Sequence, residues 1–324
     1  MRKNQNFATI AQPTIANSTY SGEAASGFIA AALLSAKTLD NGYVTIMPNV
    51  KYKSVIQKVS VDNIISDASC DFQANASASI AERILEPKEL QVNLQLCKDE
   101  FVQSWEAISL GYSAFDEIPK SFTDYLVSYV GGKVAEATEL SIWGGATATN
   151  GEFGGFETIL SASVIAGTGV IAATSGSTVI SGSITSANVL DKLNSIVDSI
   201  PDTVYGKEDL LLYVPTNVAK AYQQALAGGA IGANGWNNQL NVGEKPFNFN
   251  GIEIVHCPGM TASKVVAAQK SNLFFGTGLL SDYNQVKVLD MADLDGSQNF
   301  RIIMRYTAGT QVGVLGDVVF YGAY

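Results

Sequence analysis

Apolar and polar positions alternate most strictly over Leu90–Leu96. Leu90, Val92, Leu94 and Leu96 fall on one face, Gln91, Asn93 and Gln95 on the other. That period is a half-buried strand. Tyr43–Met47 and Val50–Val59 follow the turn Asp40-Asn41-Gly42 and are rich in β-branched and aromatic residues, so they also read as strands. Between them and Leu90 lies a polar stretch, Asp62–Ala81. Long strands joined by such a stretch predict a projecting two-stranded ribbon over residues 41–100. A two-stranded ribbon is marginal alone and needs a surface to lie on.

A period of three to four residues governs Pro119–Trp143. Phe122, Leu126, Tyr129, Lys133, Ala137 and Leu140 form the stripe, widened by Tyr125, Val130 and Val134. The predicted helix is about 36 Å long at 1.5 Å per residue. A second helix is expected over Ser186–Ile200, stopped by Pro201, and a third over Pro215–Leu226. The continuous apolar run Asp209–Val214 lies between them as a strand. Gly251–Val255, Val265–Ala268, Gln285–Leu289 and Phe300–Tyr306 are further strands. Trp143–Ala187, built from Gly, Ser, Thr, Ala, Val and Ile, is expected to form short strands at Ser163–Ile165, Val170-Ile171 and Thr178–Ile180. A short helix is expected at Ser21–Lys37, and residues 1–20 read as an extended arm that is either disordered or ordered only against another subunit. Strand, helix and strand in quick alternation argue an α/β or α+β arrangement; the α+β class is the one implied by the resemblance given below.

Charge changes the picture. Only 15% of the 324 residues are charged, against about 25% in ordinary soluble chains. A chain so poor in charge either hides much of its surface in partners or presents a bland one rich in Ser, Thr, Asn and Gly. Residues 1–100 hold nine Lys/Arg and ten Asp/Glu, while the other 224 hold eleven and twenty. The net charge of −10 argues against broad electrostatic binding of nucleic acid. Cys70, Cys97 and Cys257 have no CxxC spacing and read as small thiols. The apolar run Phe28–Ala36 is shorter than the ~20 residues of a membrane span and lacks the flanks of a signal peptide.

Candidate chemistry is thin. His256 is the one imidazole, and its neighbour Cys257 points to the opposite side of the strand. There is no Gly-x-Ser-x-Gly elbow. Asp290, Asp293, Asp295 and Gly296 hint at a calcium loop, but Ile302 occupies the position a Glu must fill. Gly167-Thr168-Gly169 lacks the remainder of a nucleotide-binding loop. No catalytic residue, metal ligand or cofactor site is assigned, and an enzyme is not expected. Extended parts that cannot bury themselves point to assembly.

The segment order resembles the major capsid protein of tailed double-stranded DNA phages, the Hong Kong 97-like fold. The resemblance rests on Val44-Thr45-Ile46-Met47-Pro48, Leu90–Phe101, Phe122–Trp143 ending in Ser-Ile-Trp-Gly-Gly, Gly251–Met260, Lys270–Gly278, Val286–Asp293 and Arg301–Val314. It covers most of residues 21–324 and is greatest with capsid proteins of phages of Bacteroidetes-type hosts. It implies an N-terminal arm (1–40), an extended loop (41–100), a peripheral domain (101–185 and 286–324) with spine helix 119–143, and an axial domain (186–285). It further implies hexamers and pentamers closing into an icosahedral head around DNA, assembled in the host cytoplasm. The implied partners are other copies of the chain, a portal, scaffolding or decoration proteins, and DNA held non-specifically on the inner face. Any scaffolding is expected to be a separate protein, since Met1 is present and no long helical segment precedes the arm. Two rival classes are an encapsulin-type nanocompartment shell, which needs a cargo groove, and a β-rich extracellular adhesin, which needs a secretion signal.

For the contact between subunits, Lys51 and Lys53 on the ribbon are expected to face Glu136 and Glu139 on the long helix of a neighbour. Trp236, in the Gly228–Leu240 loop, is expected at the axial tip.

Overall fold

The computed structural model describes residues 37–50, 52–62, 65, 77–97, 120–175, 178–229, 248–278, 286–291, 296–297 and 299–322. The arm 1–20, almost all of Ser21–Lys37, most of the ribbon tip and the Gly228–Leu240 loop beyond Gly229 lie outside them. So do Lys51, Cys70, Trp236, Asp293 and Asp295.

Five helices are described: α1 (Lys37–Asp40), α2 (Lys120–Gly144), α3 (Phe156–Ala166), α4 (Val189–Asp198) and α5 (Thr216–Gly229). The strands are β1 (Thr45–Met47), β2 (Ser54–Asp62), β3 (Ser77–Leu85), β4 (Lys88–Cys97), β5 (Ile171–Ala172), β6 (Thr174–Ser175) and β7 (Thr178–Val179). They continue as β8 (Leu210–Val214), β9 (Asn248–Phe249), β10 (Ile252–His256), β11 (Val265–Gln269), β12 (Leu273–Thr277), β13 (Val286–Asp290), β14 (Asn299–Val312) and β15 (Val319–Tyr321).

One sheet runs β5-β15-β11-β8-β10-β9. Every residue of β8 and β11 is buried, because the sheet separates two cores. Leu211 and Tyr213 of β8 enter one core with Val266, Ala268 and Phe320. Leu210, Leu212 and Val214 enter the other with Val265, Ala267 and Tyr321. Burial on both faces is why these strands read as continuous apolar runs rather than alternations. The second core is closed by α4 through Val189, Leu193, Ile196 and Val197, and by α5 through Val218, Ala221 and Tyr222.

The other large sheet runs β1-β12-β14-β13, with β4 paired along β14. Here the alternation of Leu90–Leu96 is realised as read. Leu90, Val92, Leu94 and Leu96 face the first core, while Gln91, Asn93 and Gln95 are exposed. Its partner differs from the expected one. β4 pairs with β14, from Cys97 opposite Asn299 to Lys88 opposite Ala308. The ribbon is instead β2 with β3, registered from Ser54↔Leu85 to Asp62↔Ser77. Ser77–Leu85 therefore supplies the return strand, inside the stretch read as polar connection up to Ala81. A strand with one wholly apolar face, as β4 has, is stabilised more by a core than by a free ribbon.

The long helix forms as expected, but its stripe is rotated. Val130, Val134, Ile142 and Trp143 are buried, and Tyr129, Lys133, Ala137 and Leu140 are exposed. The three-to-four spacing fits both faces, and only the position of the sheet distinguishes them. Trp143 anchors the C-terminal end, with ring centroids 5.5 Å from Phe156 and 5.2 Å from Tyr213.

The expected strand at Ser163–Ile165 is the last turn of α3. Phe156, Leu160 and Ser163 share its buried face, and Gly167 ends it in the left-handed conformation at φ 64°. Tertiary burial outweighs the β preference of Val164 and Ile165. Between α2 and α3 the chain turns through Gly145 and Gly155, and the Gly155 amide donates to the Gly145 carbonyl at 2.8 Å. A Cβ on Gly155 would overlap the Trp143 carbonyl. Gly155→Ala should therefore lower stability by about 1–3 kcal/mol, the usual cost of forcing atoms into a packed interior. Thermal unfolding of the purified variant reads this, and an unchanged midpoint would show that the turn can yield.

Candidate assembly surfaces

The ribbon has two unlike faces. Near its base, one face is held by its own chain. Leu85 is fully buried beside Gly276. Arg83 Nη2 donates to Gln311 Oε1 at 2.9 Å, and Gln311 Nε2 donates to the Ile84 carbonyl at 2.6 Å. The opposite face carries cross-strand pairs Val55↔Ile84 and Val59↔Ile80, with Gln57↔Glu82 between them. Val59 and Ile80 are 62% and 61% exposed, and Val55 and Ile84 about half exposed. Gln57 Nε2 donates to Glu82 Oε1 at 2.8 Å, satisfying the polar row between the apolar ones. A monomer gains nothing from presenting four branched side chains to water on one face. Lys58, Ser79 and Ala81 are also exposed, so this part of the ribbon projects from the body.

Of the residues expected in the ionic contact between ribbon and helix, Lys51 lies outside the described residues, and Glu139 is not on the surface. Lys53 pairs within its own chain with Glu86 at 3.1 Å. Glu136 accepts from Lys133 one turn away at 2.8 Å. Glu139 is fully buried and is unavailable to any neighbour. Three-residue spacing on a helix brings two side chains near one face, but here the edge of that face falls between them.

Glu139 instead clamps the chain entry to the long helix. Thr38 Oγ1 donates to Glu139 Oε1 at 2.6 Å and the Thr38 amide to Oε2 at 3.1 Å. Trp143 Nε1 donates to Thr38 Oγ1 at 3.0 Å. Burial pushes the Glu139 carboxyl above the usual carboxylate range, while hydrogen bonds from Thr38, the Gly259 amide and Trp143 favour the charged form. The neighbouring thiol of Cys257 is buried and pushed well up, first by desolvation and then by the Glu139 charge. A second buried carboxylate, Glu157, accepts from the Thr261 amide at 2.8 Å and sits 3.4 Å from Lys264 Nζ. The two glutamates thus hold the turn after β10 from two helices. Sequence inspection placed neither in the interior, because a buried Glu and a solvated one look alike in a helical period.

His256 Nε2 lies 2.9 Å from Thr216 Oγ1, at the junction of β10 and α5. Among the described residues no cluster of His, Cys, Asp or Glu could hold a metal ion, and no helix is long and apolar enough to cross a membrane.

A third surface is the outer face of the β4–β14–β13 sheet. Arg301 and Arg305 are exposed on β14, opposite Gln95 and Gln91 of β4. Arg301 Nε donates to Gln95 Oε1 at 2.9 Å.

This arrangement of two sheets, a long helix and a ribbon recurs in solved structures. A chain from the capsid of a native GTA particle matches with a TM-score of 0.62 and 11% identity, covering 95% of both chains. A chain of the cyanophage A-1(L) capsid matches at TM-score 0.59 and 13% identity, over 91% of this chain and 94% of that one. A chain from Gordonia phage Cozz matches at TM-score 0.58 and 11% identity, over 96% and 92%. No family model matches, and no curated protein matches in sequence. The chain thus has the mixed helix-and-strand fold of phage capsid proteins.

The clamp makes a pH prediction. A raised native pKa means that the folded state binds the proton more tightly. The contribution is complete below the ordinary carboxylate pKa of about 4.3 and is lost as pH rises through the raised native value, at up to about 1.4 kcal/mol per pH unit. Glu139→Gln should flatten that segment of the stability–pH curve. It should also cost about 1–3 kcal/mol, because its amide N–H₂ meets donors. Urea unfolding of both proteins at a series of pH values measures each effect.

Proposed function

We propose that this chain is a major capsid protein of a tailed phage. Copies associate as hexamers and pentamers and close into an icosahedral shell around double-stranded DNA, so the chain resides in the virion. The observation that carries the reading is the exposed apolar face of the ribbon, on a body whose fold is that of capsid proteins. Val55, Val59, Ile80 and Ile84 need a cover that the described chain does not supply. The same face on every copy gives every subunit one docking contact, which is how a repeated lattice is built. The arrangement is of the Hong Kong 97 type, with the ribbon as the extended loop and α2 as the spine of a peripheral domain.

The axial unit is the six-stranded sheet with α4 and α5. It draws β5 and β15 from outside residues 186–285, and it yields β12 of that range to the five-stranded sheet. The role is structural rather than enzymatic, with other copies as the main partners. A portal, scaffolding or decoration proteins and packaged DNA complete the assembly.

Electron microscopy of the expressed protein tests the reading, with closed shells or capsomers expected. Val59→Lys with Ile80→Glu should leave thermal stability within about 0.5 kcal/mol per site, because both side chains are exposed and the new charges, directly opposite, attract. It should abolish closed shells. Normal shells from this variant would show that the ribbon face is not the contact.

A further inference from the structure

We propose that Asn150–Gly151 is a site of spontaneous covalent modification, where Asn150 converts to aspartate and isoaspartate through a succinimide, while Asn41–Gly42 and Asn250–Gly251 stay intact in the folded chain. The inference goes beyond the capsid reading and stands without it. The sequence holds Asn-Gly four times, at 41–42, 150–151, 234–235 and 250–251. Asn234–Gly235 lies outside the described residues. By local chemistry the other three are alike, because in each the amide that attacks belongs to a glycine and is unhindered by a Cβ. The fold separates them.

The reaction needs no group beyond the chain and water. The Gly151 nitrogen gives up its proton and bonds to Asn150 Cγ. The Cγ–Nδ2 bond then breaks, and Nδ2 takes up a proton and leaves as ammonia. Water opens the resulting five-membered ring at one of its two carbonyls. Opening at Cγ gives aspartate, and opening at the backbone carbonyl gives isoaspartate. No electrons are exchanged. The step requires a free glycine amide, a carboxamide able to turn onto it, and an environment that tolerates negative charge on the attacking nitrogen.

Asn150 and Gly151 meet all three needs. They occupy the middle of a turn closed by the Glu152 amide, which donates to the Thr149 carbonyl at 3.4 Å, and Gly151 has φ 82°. That closing bond leaves the Gly151 amide without an acceptor among the described residues. Thr147 through Gly151 are all exposed, and a Cβ on Gly151 would meet nothing within 4 Å. A cation stands beside the dipeptide. Lys88 Nζ donates to the carbonyls of Thr147 at 3.1 Å, Thr149 at 3.1 Å and Glu152 at 2.8 Å, which uses all three of its N–H bonds. Two of those carbonyls flank Asn150–Gly151, so charge developing on the Gly151 nitrogen and on Asn150 Oδ1 forms next to an ammonium. The carboxylate of the loop, Glu152, is engaged by the Ala146 amide at 3.0 Å.

The other two pairs are held. At Asn41–Gly42 the attacking amide is already committed, because Gly42 donates to the Leu39 carbonyl at 2.9 Å. The amides on either side are bonded too, Asn41 to Lys37 at 3.1 Å and Tyr43 to Thr38 at 3.0 Å. Asn250 and Gly251 form the two-residue turn between β9 and β10, both with positive φ, at 50° and 82°. Such a turn fixes the backbone of both central residues, and closing the ring would rotate Asn250 out of it and undo the Phe249↔Ile252 pair. Asn250 Nδ2 is also held by Asn194 Oδ1 at 3.3 Å. Conversion at Asn150 adds one negative charge to the loop. Isoaspartate further lengthens the backbone by a methylene between two of the carbonyls that hold Lys88.

The experiment holds the purified, unassembled full chain at mildly alkaline pH and maps its peptides by mass spectrometry over time, separating asparagine, aspartate and isoaspartate forms. Asn150 should convert about tenfold or more faster than Asn41 and Asn250, the usual scale of a positioning effect. In concentrated urea the three should convert at similar rates, because the turn, the bonded amides and the hairpin are gone. Asn41 or Asn250 converting as fast as Asn150 in the folded chain overturns the proposal. A ranking that persists unchanged in urea overturns it as well, because flanking sequence rather than fold would then set the order. Since the readout is on unassembled chain, failure here leaves the capsid reading untouched, and absence of shells leaves this site untouched.

Discussion

The structure depends on one sheet being buried on both sides. The polar side-chain groups that β8 and β11 carry are hydrogen-bonded: Tyr213 Oη donates to the Tyr43 carbonyl at 2.6 Å, and Gln269, at the end of β11, donates to Asp209 at 2.8 Å. Each successive residue of β8 belongs to the opposite core from the one before. Packing α4 and α5 on one face and the Trp143 cluster on the other is therefore a single problem. A shift of β8 by one residue would exchange the two sets of side chains and disrupt both cores. The five-stranded sheet joins this arrangement through Phe275, Ile302, Met304 and Tyr306, which enter the same core as Tyr213.

Against that centre, the elements proposed to meet other copies are the parts that the centre does not bury. The ribbon is fixed at its root by Leu85 and by the Arg83–Gln311–Ile84 hydrogen bonds, and beyond the root it presents branched side chains to water. A stiff root and an uncovered outer half suit an element whose stabilising contacts come from another molecule. The chain entry is treated differently. Glu139, Thr38 and Trp143 form a closed hydrogen-bonded group in the interior, so α1 is tied to the long helix. Placing a carboxylate there carries a desolvation cost that its hydrogen bonds offset only in part, as the raised pKa of Glu139 records. We read the group as fixing one position of α1 on the long helix rather than as adding stability.

Much of this was legible beforehand. The strand alternation of Leu90–Leu96, the buried run at Asp209–Val214, the long helix, α4, α5 and the existence of a ribbon all follow from periods that local sequence carries. The segment order pointed to a shell fold, and the solved capsid structures share that fold at 11–13% identity. Such likeness persists because the pattern of burial is kept while individual side chains change.

What the sequence determined by itself is periodicity, since alternation and three-to-four spacing are local. What only the tertiary structure decided is which partner satisfies each period. β4 alternates whether it pairs with a ribbon or with β14, and only the position of the core selects β14. The stripe on α2 fits Tyr129, Lys133 and Leu140 as well as Val130, Val134 and Ile142, and only the packed sheet selects the second set. Ser163–Ile165 is β-prone in isolation and helical because Phe156 and Leu160 are already buried one and two turns earlier. Glu139 reads as a solvated charge until Thr38, a hundred residues away in the chain, is brought against it. Local sequence fixes the spacing of side chains along an element, but the face that loses its water is set by contacts between residues far apart in the chain.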